Sequence, residues 1–287
     1  MQNRIYKNLK LFSLIFLIII NIIIFYVAYN IDRGGILKVV FLDVGQGDSI
    51  LIEVPNGNQI LIDSGANKSV LKALSRKIPF YDRSIDLLIA THPDQDHIGG
   101  FPEILKRYKV GKFYNSGLIS DSPTFKEIEK EIFNKKIEEE RLVKNEVLDL
   151  GEGVFLKVLY PNIELEGDDT NKNSVVLKLI YGDTNILLTG DIPTDVEKYL
   201  TMILGSELDS DILKVAHHGS KNSLSEEFFS AVSPEYSIIS ASRDNSFGHP
   251  HKEIIDALNN IGTNILRTYD AGDIVFVSDG DKFVLEK

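Results

Sequence analysis

Cysteine is absent from all 287 residues, which excludes structural disulfides, thiolate metal sites and cysteine nucleophiles together. Tryptophan is absent too, and the 15 Phe and 11 Tyr are spread along apolar runs, so no aromatic cluster marks a stacking platform for single-stranded nucleic acid. Basic residues are outnumbered. With 31 Lys+Arg against 42 Asp+Glu the formal net charge is −11, and no global positive field is available to condense a polyanion. There is no G-x-S-x-G elbow and no G-x-x-x-x-G-K-[ST] phosphate loop, which sets aside a serine hydrolase and a phosphate-loop nucleotidase. At 43% hydrophobic and 25% charged residues, the chain can still bury a large core.

The charge is unevenly divided. Residues 1–30 carry Arg4, Lys7 and Lys10 and no acid, so −14 falls on residues 31–287 once those three cations are set aside. From Leu11 to Tyr29 the chain reads LFSLIFLIIINIIIFYVAY, 19 residues with only Ser13 and Asn21 strongly polar. A helix of that length nearly matches a hydrocarbon slab of ~30 Å, which predicts one transmembrane helix. A cleaved signal peptide is the rival reading, but its apolar core usually runs only ~7 to 15 residues, and Val27-Ala28-Tyr29 is a poor small-x-small cleavage site. The positive flank puts the N-terminus in the cytoplasm and the rest of the chain outside the cell membrane. Three parts are expected: a cytoplasmic tip and anchor over 1–30, a short linker over 31–35, and one domain over 36–287 with no Pro-rich break.

Within that domain, apolar runs of strand length recur at 39–45, 48–54, 59–65, 85–91, 154–161, 174–182, 185–191, 211–220 and 236–242. Three shorter runs close the chain, at 264–267, 274–278 and 282–285. Helical patterns lie between them, near 67–78, 98–108, 193–204, 223–232 and 251–261. The segment 125–147 places Phe125, Ile128, Ile132, Phe133 and Ile137 on one face and reads as an amphipathic helix with a solvated charged side. Two groups of strands with helices between them predict an α/β fold, an αβ/βα sandwich of two facing mixed sheets covered by helices.

Chemistry concentrates where strands end. His92-Pro93-Asp94-Gln95-Asp96-His97 sets two imidazoles and two carboxylates in six consecutive positions after an apolar strand. Packed together without a cation they repel one another or stay unsatisfied, whereas a divalent ion favours neutral imidazole and ionised carboxylate at once. Asp63 in LIDSG, Asp191 in LLTGD and His217-His218 in KVAHHGS repeat the pattern of an ionisable group directly after an apolar run. Converging on one sheet edge, these groups make a binuclear site with Asp191 as the bridge, suited to zinc or manganese and to metal-assisted hydrolysis. Gln46 and Asp48, in a loop whose glycines serve the turn, and His249 in FGHPH are further candidates near the site.

The motifs LDVGQGDS, LIDSG, THPDQDHIGG, NKNSVVL, LLTGD, KVAHHGS and FGHPH together resemble the metallo-β-lactamase superfamily over 36–287, and within it the extracytoplasmic domain of ComEC-type competence proteins. The resemblance implies a four-layer sandwich and one or two divalent ions held by His92, Asp94, Asp96, His97, Asp191 and His217. His217 is favoured over His218 as the ligand. It also implies that Asp63, Asp48, Gln46, Asn173 and Ser174 support the ligands, and that Asp96, His218 and His249 serve catalysis. Two positions depart from the superfamily pattern: Asp94 stands for the second His of the loop, and Asn173-Ser174 for a later one, so the half of the site around His92 is the poorer one. The implied function is a metal-dependent phosphodiesterase or nuclease, acting on DNA during uptake or on a surface polymer. The alternative is a non-catalytic, metal-stabilised scaffold domain of an envelope or DNA-uptake assembly.

Overall fold

The computed structural model describes residues 2–32, 35–162, 167, 169–223 and 225–286; within 2–32 the side chains described are those of residue 8 and residues 10–26. Helix α1 covers Gln2–Asp32, and its described apolar side chains, among them Leu11, Phe12, Phe16 and Phe25, stand exposed. Among the described residues no helix is long and apolar enough to cross a membrane. Part of the Leu11–Tyr29 run, its last three residues, and the flanking Arg4 and Lys7 lie outside the described side chains.

Strands β1 (Leu37–Phe41), β2 (Ile50–Glu53) and β3 (Gln59–Ile62) form an antiparallel meander. Its second turn closes at Asn56-Gly57, where Gly57 adopts φ 93° and its N–H donates to the Val54 carbonyl at 2.8 Å. Helix α2 (Ser69–Lys77) then returns the chain to β4 (Ser84–Ile89), which runs parallel to β3. Helices α3 (Gln95–Ile98) and α4 (Phe101–Arg107) lead to β5 (Lys109–Asn115), and α5 (Pro123–Lys135) to β6 (Glu138–Arg141).

The second sheet follows with β7 (Val147–Gly151), β8 (Val154–Tyr160), β9 (Val176–Tyr181), β10 (Thr184–Leu188), β11 (Ile212–Lys214), β12 (Tyr236–Ile239) and β13 (Asn264–Arg267). Helices α6 (Thr194–Leu204), α7 (Glu226–Val232) and α8 (Lys252–Ile261) lie between its later strands, and α9 (Thr268–Ala271) leads to β14 (Ile274–Ser278) and β15 (Phe283–Glu286), which return to the first sheet beside β1.

Period-2 alternation divides the apolar residues between layers. Leu37, Val39 and Phe41 of β1 join Leu156, Leu177, Ile186 and Ile212 of the other sheet in a core between the sheets. Val40, Leu51 and Leu61 point the opposite way, against Val70 and Leu74 of α2, Ile104 of α4 and Ile128 of α5. On the far side, Leu187, Leu213 and Ile239 pack against Leu200 of α6, Phe228 of α7 and Leu258 of α8. Helix, sheet, sheet and helix are thus four layers, as the strand grouping predicts.

The expected helix over 125–147 is corrected. It stops at Lys135, because Lys136 turns left-handed at φ 55°, and Glu138–Arg141 add a parallel edge strand to β5. Lys112 of β5 draws the acids into place, with Nζ 3.3 Å from Glu138 and 2.8 Å from Glu140. Charged edges are ordinary on sheets, since they discourage further pairing. Phe133, expected on the buried face, is 82% exposed.

Candidate metal centre

Parallel register assembles the site. Ile62 of β3 lies beside Ile89 of β4, and Leu188 of β10, Lys214 of β11 and Ile238 of β12 are aligned, so the residues just beyond these carboxyl ends share one edge. Asp63 and His92 follow the first pair; Asp191, His218 and Ser240 follow the second set. A Val175 N–H donating to the Thr91 carbonyl at 2.9 Å stitches the two groups together. Asp63, His217 and His218 take left-handed φ of 58°, 49° and 56°, conformations that cost about 1–3 kcal/mol each and concentrate at functional sites. Gly47 permits the closest approach, because a Cβ there would lie 1.9 Å from the Asp96 carbonyl oxygen. Its loop thereby carries Asp48 into the centre.

Three buried imidazoles are oriented alike. His97 Nδ1 lies 2.7 Å from Asp63 Oδ2, and His218 Nδ1 is 2.9 Å from the Ser240 carbonyl oxygen. Thr91 donates its hydroxyl proton to Asp63 at 2.8 Å, so its oxygen accepts from His92 Nδ1 at 3.0 Å. Each Nδ1 is therefore a donor with an acceptor-only or committed partner, so whenever the ring is neutral its bare lone pair is on Nε2. Those three Nε2 atoms and Asp191 Oδ1 are buried and have no hydrogen-bond partner among the described residues. His97 Nε2 and His218 Nε2 lie 3.2 and 3.4 Å from Asp191 Oδ2, and Asp96 Oδ2 is 3.3 Å from His218 Nε2. A buried histidine nitrogen without a partner is costly unless something binds it.

Asp48, His97, Asp191 and His218 offer one ligand atom each, all within 4.8 Å of one another. Asp48, however, is drawn elsewhere: Oδ2 pairs with Lys214 Nζ at 2.7 Å, and Oδ1, which also has no hydrogen-bond partner among the described residues, lies on the Nδ1 side of His218 at 3.2 Å. Asp48 therefore steadies His218, and Asp96 is the better fourth donor, because its carboxylate faces Nε2.

The charges agree. Burial opposes ionisation of His97 and His218, yet Asp191 with Asp63, and Asp191 with Asp48, push these imidazoles well above the ordinary range. Asp191 and Asp96 are held below theirs against the same burial, by both histidines. His92 goes the other way, to about 4, through burial and its neighbour His97. The carboxylates thus demand positive charge at one spot, which protons on His97 and His218 or a divalent cation can supply. The donor set suits zinc, manganese or iron.

The remaining candidates lie around this centre. Asp94 reaches His92 Nε2 only to 3.7 Å with its side chain 40% exposed, and burial raises its pKa. Ser174 Oγ accepts from the Asp191 N–H at 3.3 Å, and Asn173 donates to the Asp169 carbonyl at 2.8 Å, so both serve the backbone. Gln46 Oε1 accepts from Ser242 N–H at 3.3 Å. His249 is at the rim, its ring 5.6 Å from His217 and 6.3 Å from His218.

Of the two adjacent histidines, the structure sets His218 at the cluster rather than His217, which the sequence reading favours. His218 is enclosed with Nε2 at the cluster, whereas His217, 23% exposed, comes no nearer than 3.9 Å to Asp191 Oδ2. Two successive left-handed residues turn the second imidazole inward. Thr91, Ser240 and Lys214 were not singled out by sequence, although a lysine inside the apolar run DILKVA was a visible anomaly.

The model of the Metallo-beta-lactamase superfamily matches residues 42–243 of this chain. The chain belongs to that superfamily. Among its relatives, it is 32% identical over 257 residues to ComE operon protein 3 of Bacillus subtilis (strain 168), covering 83% of this chain and 33% of the relative. It is likewise 32% identical over 238 residues to Competence protein ComA of Neisseria gonorrhoeae, covering 82% and 31%. The chain therefore spans about a third of the length of these relatives. The crystal structure of a putative metal-dependent hydrolase from Parabacteroides distasonis shares the fold, with a TM-score of 0.50, 14% identity and coverage of 81% and 93%.

Proposed function

We propose that the chain is a membrane-anchored, metal-dependent phosphodiesterase whose domain acts outside the cytoplasmic membrane, on DNA or a phosphodiester-bearing surface polymer. The observation that carries this reading is the convergence of two buried Nε2 atoms, those of His97 and His218, on Asp191, with the His92 Nε2 buried and unpartnered on the ring beside His97, while every Nδ1 is tied. Asp96, His97, Asp191 and His218 would hold one ion; His92 and Asp94, with Asp191 shared, would hold a second less firmly. A divalent ion held there supplies a Lewis acid and a water that ionises near neutral pH.

The protein's own groups divide the remaining work. Asp63, Thr91 and the Ser240 carbonyl fix the imidazole planes. Burial and the His217 and His218 rings press His249 down to about 4, which keeps it a neutral hydrogen-bond donor, suited to a developing oxyanion rather than to acid catalysis. Anchoring rests on the Leu11–Tyr29 run behind three N-terminal cations, and a DNA-uptake setting rests on the likeness to the competence proteins.

The scaffold reading draws support from Asn173 and Ser174, whose commitments leave the His92 half of the site short of donors. The test is metal content of the purified full chain together with turnover of bis(p-nitrophenyl) phosphate. One or two bound ions with turnover are expected. A single retained ion and no turnover with zinc, manganese or iron would replace the enzyme by the scaffold.

A further inference from the structure

Phe247 stands at the mouth of the metal centre, and its ring is 61% exposed. A single exposed aromatic is unremarkable by itself. This one is stacked on His249, with centroids 5.7 Å apart and planes 25° from parallel, and His249 in turn lies against His217 and His218. It is also held in place. Asn245 Oδ1 accepts from the N–H groups of Phe247 at 3.2 Å and His249 at 2.9 Å, while its Nδ2 donates to the carbonyls of Ser242 at 2.7 Å and His249 at 2.6 Å. One side chain thus staples the whole loop, so a ligand that covers the ring has little loop motion to freeze.

Charge offers a polyanion little here. The domain beyond residue 30 carries the chain's whole acidic excess, and Arg243, the nearest arginine in sequence, is committed to Asp270 at 2.6 Å. Apart from Lys221, whose backbone N–H donates to His251 Nδ1 at 3.2 Å, affinity for a phosphodiester must then come from the metal centre and from uncharged surface. A flat, rigid ring beside a phosphate-binding centre fits one kind of substrate group, a nucleobase, which stacks on aromatics without regard to sequence.

Resting on the phosphodiesterase reading, we infer that Phe247 is the stacking platform for a nucleobase flanking the bound phosphodiester, so that the substrate is single-stranded or frayed nucleic acid rather than duplex or a base-free surface polymer. A paired base is stacked inside the helix and cannot reach the ring; an unpaired one can. The structure thus supplies a platform that the scattered aromatics of the sequence do not announce.

The experiment compares a short oligothymidylate with an abasic oligomer of the same length, using the metal-loaded full chain, by KM and by fluorescence anisotropy of the labelled oligomers. The wild type should prefer the thymidylate about tenfold in both, equivalent to ~1.4 kcal/mol. Phe247→Ala should collapse that ratio toward one and Phe247→Trp should keep it. The inference is overturned if the wild type does not distinguish the oligomers, or if Phe247→Ala weakens both alike. If neither oligomer is cleaved, the phosphodiesterase reading fails, and the anisotropy ratio alone decides the platform: equal binding overturns it, and a preference lost in Phe247→Ala sustains it.

Discussion

Lys214 and Asp48 form an ion pair with essentially no solvent contact, Nζ to Oδ2 at 2.7 Å, and the other Asp48 oxygen lies 3.2 Å from His218 Nδ1. Lys214 Nζ also donates to the Val215 carbonyl at 3.0 Å. A buried pair of this kind adds little net stability, because desolvation offsets most of its attraction. Its use is positional: the ammonium keeps Asp48 ionised, against its burial, and the carboxylate helps hold the His218 ring with Nε2 toward Asp191 and Asp96.

Removing one partner should therefore do more harm than removing both. Lys214→Met strands a buried carboxylate and is expected to destabilise the metal-free protein by ~3–5 kcal/mol, whereas Lys214→Met with Asp48→Asn should recover at least half of that. Urea unfolding in EDTA measures the cycle. A double variant no more stable than Lys214→Met would show that the pair does not act as a charge-balanced unit.

The two adjacent histidines should separate cleanly. His218→Ala removes an enclosed Nε2 from the cluster and should abolish stoichiometric metal, while His217→Ala, which empties the rim, should retain it. Asp48→Asn, which loosens only the orienting partner, should weaken metal binding by ~10–100-fold. Metal analysis after dialysis reads all three. Retention by His218→Ala with loss from His217→Ala would restore the assignment that the sequence pattern favours.

Much of this site was legible because parallel strands announce their ends: an apolar run followed at once by Asp63, His92, Asp191 or His218 is a one-dimensional signal of a shared edge. Element boundaries were legible where burial set the period. They failed over 136–147, where Glu138–Arg141 bury almost nothing and become a strand only because β5 offers an open edge, a tertiary fact with no local trace. The choice between His217 and His218 is not legible either, because two successive left-handed residues, with no local trace in the sequence, decide which imidazole turns inward. Partners distant in sequence, such as Lys214 and Asp48, leave no periodic signature at all.

Glu197 offers a test away from the metal. It lies on α6, fully buried, with neither carboxylate oxygen hydrogen-bonded among the described residues, and burial pushes its pKa up to about 8. The native state therefore keeps a proton that the unfolded chain releases near 4.5, so stability falls as pH rises from there to about 8 and is level beyond. Glu197→Gln should remove this slope and gain ~4–5 kcal/mol at pH 8.5, with little gain at pH 4.5. Denaturant unfolding at both pH values checks it; parallel pH profiles for the variant and the wild type would mean that the carboxyl is solvated or paired.

The last prediction separates the two halves of the metal centre. Asp191 presents Oδ2 to His97 and His218, and its Oδ1 has no partner among the described residues, so one carboxylate has an oxygen for each side. Asp94 touches only the His92 side, at 3.7 Å, and is partly open to water. Asp191→Ala should therefore empty both positions, whereas Asp94→Ala should leave the ion of Asp96, His97 and His218 in place and remove only the weaker one. Losing one ligand of an incomplete set should matter most for the ion already short of donors, since Asn173 and Ser174 add none. Titrating metal back into the stripped variants distinguishes the cases: Asp94→Ala should keep a tight first equivalent, and Asp191→Ala should show none. Equal loss in the two variants would mean that Asp191 is not shared between the halves.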